Sequence, residues 1–321
     1  MKILPGAGGF AGSAVNDEVR RVSGHLRIEI VHEHAKSGFL EPALAGNLRS
    51  PWGPHLRYAG HVPHGSFVYY NTTMTLLQTE GLTKRFGGLK AVDSVTLALE
   101  EEEVLGLIGP NGAGKTTFIN LVTGVLKPDN GAIFFKGENI THLPPHQRAR
   151  LGIARTFQIL RPFSALSVQD NVLTALAQKY CPQIFSTLKV RSSRHALQEV
   201  EKLLTLTGLE AWALQPAFSL PVGILRRLEL ARALALQPKV LLLDEPAAGL
   251  NDQELQEFCA SLTRIREQFK LSIILVEHRM RFVMTVCNRI VVMHRGSLIA
   301  EGAPVEIANN PKVIEIYLGS S

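Results

Sequence analysis

The chain has 321 residues, 45% of them apolar and 19% charged, with a formal net charge of +6. That length holds one large domain or two modest ones with a real core, and the balance argues against a disordered or fibrous chain. No apolar run approaches the ~18–20 residues of a spanning helix, and no long Lys/Arg run suggests a nucleic-acid tail, so any membrane role is expected through partners. Cys181, Cys259 and Cys287 lie far apart without metal-ligand spacing, which fits a reduced, cytosolic compartment rather than a disulfide framework.

The first 75 residues differ in character from the rest. They hold His25, His32, His34, His55, His61 and His64, six of the eleven histidines, and scattered prolines with little sustained periodicity. The start, MKILPGAGGFAGSAVNDEVRR, lacks the unbroken apolar stretch of a signal peptide. Gly6, Gly9 and Gly12 after Ile3-Leu4 are similar to the glycine turn of nucleotide-sugar-epimerase-like dehydrogenases, with a helix predicted over Ser13 to Val22 and a strand over Leu26 to Val31. Pro5 interrupts the first strand, and 75 residues cannot build the two βαβαβ halves of a dinucleotide domain. Ser50-Pro51-Trp52-Gly53-Pro54 and His61-Val62-Pro63-His64-Gly65 read as loop. Residues 1–75 are therefore expected to be an extension, disordered or preceding the natural start at Met74.

From Leu76 onward strand-like and helix-like patterns alternate to the end, as in an α/β domain. An apolar strand, Val104 to Ile108, leads into Gly109-Pro110-Asn111-Gly112-Ala113-Gly114-Lys115-Thr116-Thr117, followed by an amphipathic helix predicted over Thr116 to Val125. Strand, GxxxxGK[ST] and helix in that order make a phosphate-binding loop. Glycines let the backbone wind around phosphate with its N–H groups inward, and the helix presents its positive end. Lys115 is expected to reach the β- and γ-phosphates, and the Thr116 hydroxyl to ligate Mg²⁺. Further on, Val240 to Leu243 runs into Asp244 and Glu245, a buried parallel strand whose C-terminal edge carries two acids. Asp244 is placed to hold Mg²⁺, and Glu245 to polarise the attacking water as general base.

The order of further residues narrows the family. Phe86 lies in LTKRFGG, 23 residues before the loop, and Gln158 in RTFQ. LPVGILRRLELAR (220–232) opens a helix before the acid strand, and His278 ends the strand Ser272 to Val276. Over residues 76–321 the chain resembles the ATP-binding cassette (ABC) family, most closely the ATP-binding subunit of branched-chain amino acid importers. RFGGLKAV (85–92), ARTFQILRPF (154–163), RRLELARAL (226–234), LLLDEPAAGLN (241–251) and NNPKVIEIYLG (309–319) carry that likeness.

The resemblance implies an α/β P-loop NTPase of ABC type, with a mostly parallel core sheet, an antiparallel β-subdomain and a helical subdomain over about residues 160–220. Helical stretches Val168 to Gln178 and Arg194 to Thr207 agree with the last. It implies that Phe86 stacks on adenine, that Gln158 touches Mg²⁺ or water and relays nucleotide state, and that His278 holds the γ-phosphate and orients Glu245. ATP and Mg²⁺ are the implied ligands. The implied partners are integral-membrane permease subunits, a second cassette (identical or different) and, indirectly, an extracytoplasmic binding protein, with no nucleic acid. The implied location is the cytoplasmic face of the membrane.

The chain departs from the family at its signature loop. Leu220-Pro221-Val222-Gly223-Ile224 stands for LSGGQ, keeping Gly223 but placing Pro221 for serine and Ile224 for glutamine. Asp252 stands where the subfamily usually has proline, a change of little expected consequence. The altered loop keeps a weakly hydrolysing regulatory subunit open as an alternative. A soluble cassette acting on DNA or ribosomes usually carries a long coiled coil or tandem cassettes, and this chain has neither. The ordered Gln158, Gly223, Glu245 and His278 exclude a P-loop kinase.

Overall fold

The computed structural model describes residues 31–34, 56–62, 66–71, 75–156, 162–180 and 193–318. The chain divides into two compact units, Met1–Thr75 and Leu76–Ser321. In the first, strands β1 (Val31–His34), β2 (Leu56–Val62) and β3 (Ser66–Asn71) form an antiparallel sheet in the order β1-β3-β2, with His61 opposite Phe67 and Glu33 on the other side of Phe67. His61 and Val62, expected in loop, thus close a strand. Tyr58, Tyr69 and Tyr70 favour extended pairing, a local preference that the flanking prolines masked. The glycine turn and the helix proposed over Ser13 to Val22 lie outside the described residues.

The second unit is built on a six-stranded sheet ordered β13-β12-β6-β11-β10-β9. Its strands are β6 (Val104–Ile108), β9 (Ile153–Arg155), β10 (Val240–Asp244), β11 (Ser272–Val276), β12 (Arg289–His294) and β13 (Ser297–Gly302). Neighbours from β12 to β9 pair parallel, and only the edge strand β13 is antiparallel. Side chains alternate between faces along a strand, and here both faces are covered. Leu241, Leu243, Ile273 and Leu275 enter one apolar cluster, while Val240, Leu242, Ile274 and Val276 enter another. That is why β10 and β11 read as unbroken apolar runs.

One cluster is completed by helices α3 (Val168–Tyr180), α4 (Arg194–Thr207), α5 (Val222–Ala235) and α6 (Asp252–Phe269). Helix α4 starts at Ser193, whose hydroxyl accepts from the Ala196 N–H (3.4 Å), and stops at Gly208 with φ of 66°. Helix α6 begins with a capping box between Asn251 and Glu254 and buries Leu255, Phe258, Leu262 and Ile265 along one stripe. The other cluster takes α1 (Lys115–Val122) and a second, four-stranded sheet ordered β5-β4-β7-β8. In it β4 (Thr75–Phe86) and β5 (Leu89–Glu100) flank the Gly87-Gly88 turn, and β7 (Asn130–Phe135) pairs antiparallel with both β4 and β8 (Glu138–Asn139). The expected mostly parallel core, antiparallel sheet and helices are all present.

Helix α2 (Pro145–Leu151) carries the largest fully buried side chain, Arg148. Its guanidinium donates to the carbonyls of Leu121 and Val122 at the end of α1 (both 2.7 Å), and to those of Thr141 (2.8 Å) and Leu143 (2.9 Å). Helix ends and turns leave such carbonyls short of partners, although that of Leu121 also accepts from the Gly124 N–H (3.1 Å). Burial pushes the Arg148 pKa down to about 10, still cationic at neutral pH. The remaining α-helices among the described residues are α7 (Met280–Val286), α8 (Pro304–Ala308) and α9 (Pro311–Leu318). No described helix is long and apolar enough to cross a membrane.

Candidate phosphate-binding site and its neighbourhood

Because β6, β11 and β10 run parallel, their C-terminal ends meet at one edge of the sheet. The loop 109–114 leaves β6 there, Asp244 and Glu245 end β10, and Glu277-His278 follow β11. The glycines are demanded sterically. Gly109 (φ 151°) and Gly114 (φ 104°) would each place a Cβ 2.1 Å from a carbonyl oxygen, of Met293 and Ala91 respectively. Lys115, the first residue of α1, is buried, and its Nζ donates to the Gly109 (2.7 Å) and Pro110 (3.1 Å) carbonyls of its own loop. Desolvation pushes its pKa down, while the charges of Glu245 and Asp244 pull it back up.

Asp244 is 1% exposed, and burial raises its pKa despite the opposing Arg155 guanidinium, whose Nη2 donates to Oδ2 at 2.8 Å. Arg155 also donates to Asn120 Oδ1 (2.5 Å) on α1, so it ties the phosphate-loop helix to the acid strand. The second Asp244 oxygen, Oδ1, is buried with no hydrogen-bond partner among the described residues, as is the Thr156 hydroxyl. Glu245 adopts a left-handed backbone (φ 49°), with its N–H donating to the Val276 carbonyl (2.9 Å). Six other described non-glycine residues also have positive φ, so this is the conformation of a tight turn after β10. His278 Nδ1 lies 3.9 Å from Glu245 Oε1, close but beyond a hydrogen bond.

The remaining candidates are more peripheral. Phe86 ends β4 and is 49% exposed, with Lys84 Nζ 5.8 Å from its ring centroid. Gln158 lies outside the described residues. Pro221 caps α5 with no side-chain hydrogen bond, Val222 is exposed, and Ile224 packs half-buried against the core. Gly223 is buried where a Cβ would sit 2.7 Å from Glu254 Oε1. The roles of Arg155 and Glu277 are not legible in the sequence, although Arg155 lies within ARTFQ. Neither announces its partner locally, because Asp244 is 89 residues from Arg155 and Ala247 is 30 residues from Glu277. The Tyr317 hydroxyl on α9 meets the backbone of Gly109, and burial raises its pKa.

Residues 92–248 match the ABC transporter family, and residues 297–321 match the branched-chain amino acid ATP-binding cassette transporter family. The LivG protein of Escherichia coli, a high-affinity branched-chain amino acid transport ATP-binding protein, is 43% identical over 251 residues, covering 77% of this chain and 98% of its own. This chain belongs to the ABC transporter ATP-binding family. BraF of Pseudomonas aeruginosa, with the same description, is 41% identical over the same coverage. LptB of Acidithiobacillus ferridurans, a lipopolysaccharide export system ATP-binding protein, is 36% identical over 244 residues, 76% of this chain and 97% of its own. Among solved structures, an ABC cassette in its ADP conformation superposes with a TM-score of 0.69 at 31% identity, covering 77% of this chain and 100% of that one. A nucleotide-free cassette gives 0.68 at 30% with the same coverage. The cassette thus binds ATP and is an ATPase of the transporter kind.

Proposed function

We propose that this cassette powers import of branched-chain amino acids. The carrying observation is the match of residues 297–321 to the branched-chain cassette family. That segment supplies none of the candidate ATP-site side chains, although its Tyr317 meets the backbone of Gly109, so it bears chiefly on the kind of transporter. Two cassettes, this one and a second, close head-to-tail around two ATP molecules on the cytoplasmic face and drive the permease subunits. A binding protein outside the membrane delivers the amino acid.

In this reading the N–H groups of Gly109, Asn111, Gly112, Ala113, Gly114, Lys115 and Thr116 cradle the phosphates, with Pro110, which has no N–H, shaping the turn. Lys115 gives up its two loop carbonyls for the β- and γ-phosphates, and Thr117 supports the loop. Phe86 stacks on adenine from its exposed strand end. Magnesium suits the residues present. Asp244 Oδ1 is a buried carboxylate oxygen without a partner, and no cluster of three or more His, Cys, Asp or Glu ligands occurs among the described residues. A single carboxylate plus substrate phosphates is the usual magnesium arrangement. Thr116, Asp244 and Gln158 would hold the ion, which when bound offsets phosphate charge. Glu245 takes the proton of the attacking water, and His278 steadies both Glu245 and the γ-phosphate.

The test is uptake. A strain lacking this gene should lose high-affinity uptake of radiolabelled leucine, isoleucine and valine, and the full chain should restore it. Normal uptake of all three in the deletion strain would overturn the substrate assignment while leaving the ATPase untouched.

A further inference from the structure

The loop that follows Glu245 is fastened at both ends to the segment that carries His278. At its start the Ala247 N–H donates to Glu277 Oε1 (2.8 Å), and Oε2 of the same buried carboxylate accepts from the N–H groups of His278 (3.1 Å) and Arg279 (3.3 Å). At its far end Arg279 Nη1 donates to the Leu250 carbonyl and Nη2 to Asp252 Oδ1, both at 2.9 Å. Arg279 heads α7 and Asp252 heads α6, so the fork also links two helix starts. Between the fasteners lies Gly249, with φ of 82° and Val222 of α5 close above it. The two fasteners differ physically. Glu277 is buried, accepts from three backbone N–H groups and faces the charge of the buried Arg226, whose Nε reaches the Ala248 carbonyl of the same loop (3.4 Å), whereas Asp252 is 81% exposed and Arg279 31% exposed.

An exposed ion pair adds little to global stability. A planar guanidinium that spans a carbonyl and a carboxylate nevertheless fixes geometry in two directions. We propose that Arg279 is a positioning residue for ATP hydrolysis. Its fork holds loop 246–252 against residues 277–279 and so sets the 3.9 Å separation of Glu245 Oε1 and His278 Nδ1. Asp252, at a position where proline was the expected residue, is the anionic half of this clasp and has a consequence after all. The inference rests on Glu245 and His278 acting together in hydrolysis.

The experiment measures ATP turnover of the full chain assembled with its membrane subunits, beside melting temperature and ATP affinity. Glu245→Gln is the control: if it leaves turnover intact, the reading of the hydrolytic pair fails, whatever Arg279 does. With that control inactive, Arg279→Ala should lower kcat by roughly 10–100-fold, the scale of a small misplacement of reacting groups, with KM for ATP and Tm little changed. Arg279→Asp should be worse, because it faces Asp252, and Arg279→Asp with Asp252→Arg should recover much of the loss. Arg279→Lys, which keeps charge but not the fork, should fall between wild type and alanine. An unchanged kcat in Arg279→Ala would overturn the proposal. So would a kcat that falls only in step with Tm, or a charge-reversed pair no better than Arg279→Asp. If Arg279→Ala does not fold, Asp252→Ala serves instead, with a smaller kcat loss at constant KM expected and an unchanged kcat counting against the clasp.

Discussion

Glu245 and Asp244 are adjacent carboxylates in unlike surroundings, in keeping with the different roles proposed for them. Glu245 is partly open, with His278 Nδ1 3.9 Å from its carboxylate, whereas Asp244 is sealed beside Arg155. Glu245→Gln keeps the shape and removes the proposed base, so ATP binding should persist while turnover falls by roughly 10²–10⁴; single-turnover assays of the assembled complex read this directly. Lys115→Ala should instead abolish nucleotide binding, seen by equilibrium titration. Asp244 makes a pH prediction. Its folded-state pKa is raised above 3.8 by burial, so between 3.8 and that raised value the folded state binds more protons than the unfolded state. Nucleotide-free stability should therefore fall as pH rises through that window. Asp244→Asn has no such proton to lose, so its stability relative to wild type should climb over the same window and then level off. Paired denaturant curves across pH would show a flat difference if Asp244 were not the titrating group.

At the scale of elements, the phosphate-loop helix depends on a residue far from phosphate. Arg148 closes the end of α1 through two carbonyls and the following turn through two more. Arg148→Met should cost about 3–5 kcal/mol in chemical denaturation, the scale of stranding several buried polar groups. Helix α5 shows the opposite case, a start that could be improved. Pro221 at its N-cap offers no side-chain acceptor, and Pro221→Ser should add about 0.5–1 kcal/mol of stability. Ile224→Gln moves a polar side chain into a half-buried apolar place and should offset that gain. Yet the pair restores a hydroxyl and an amide to the signature loop, whose role, by resemblance, is to hold the γ-phosphate of the opposite cassette. Losing one such donor typically costs ~10²–10³ in rate, so the double variant should raise turnover at the partner's site. Unchanged turnover would mean that the altered loop does not limit the motor.

At the scale of the molecule, the boundary between the two units falls at Thr75 and Leu76. A chain beginning at Met74 retains both apolar clusters and every candidate site residue. We propose that it folds and binds ATP as the full chain does, and that it restores transport. Loss of ATP binding on truncation, by titration of the purified protein, would show that the first unit supports the cassette.

Much of the cassette was legible without coordinates because its chemistry is local in sequence. Gly109 to Thr117 must be contiguous to wrap phosphate, and β10 and β11 reveal their double burial in a run of apolar residues. The start and end of α4 were visible for the same reason, since Ser193 and Gly208 act within a turn. What the sequence left open are pairings across distance. Arg155 finds Asp244 only because β9 lies beside β10, and Arg279 finds Asp252 only because the ends of β10 and β11 lie side by side. The pairing of β1, β2 and β3 likewise depends on register between separated segments. Charged side chains carry no periodicity that names a partner, so composition and spacing show which groups exist, while the order and direction of strands decide which of them meet.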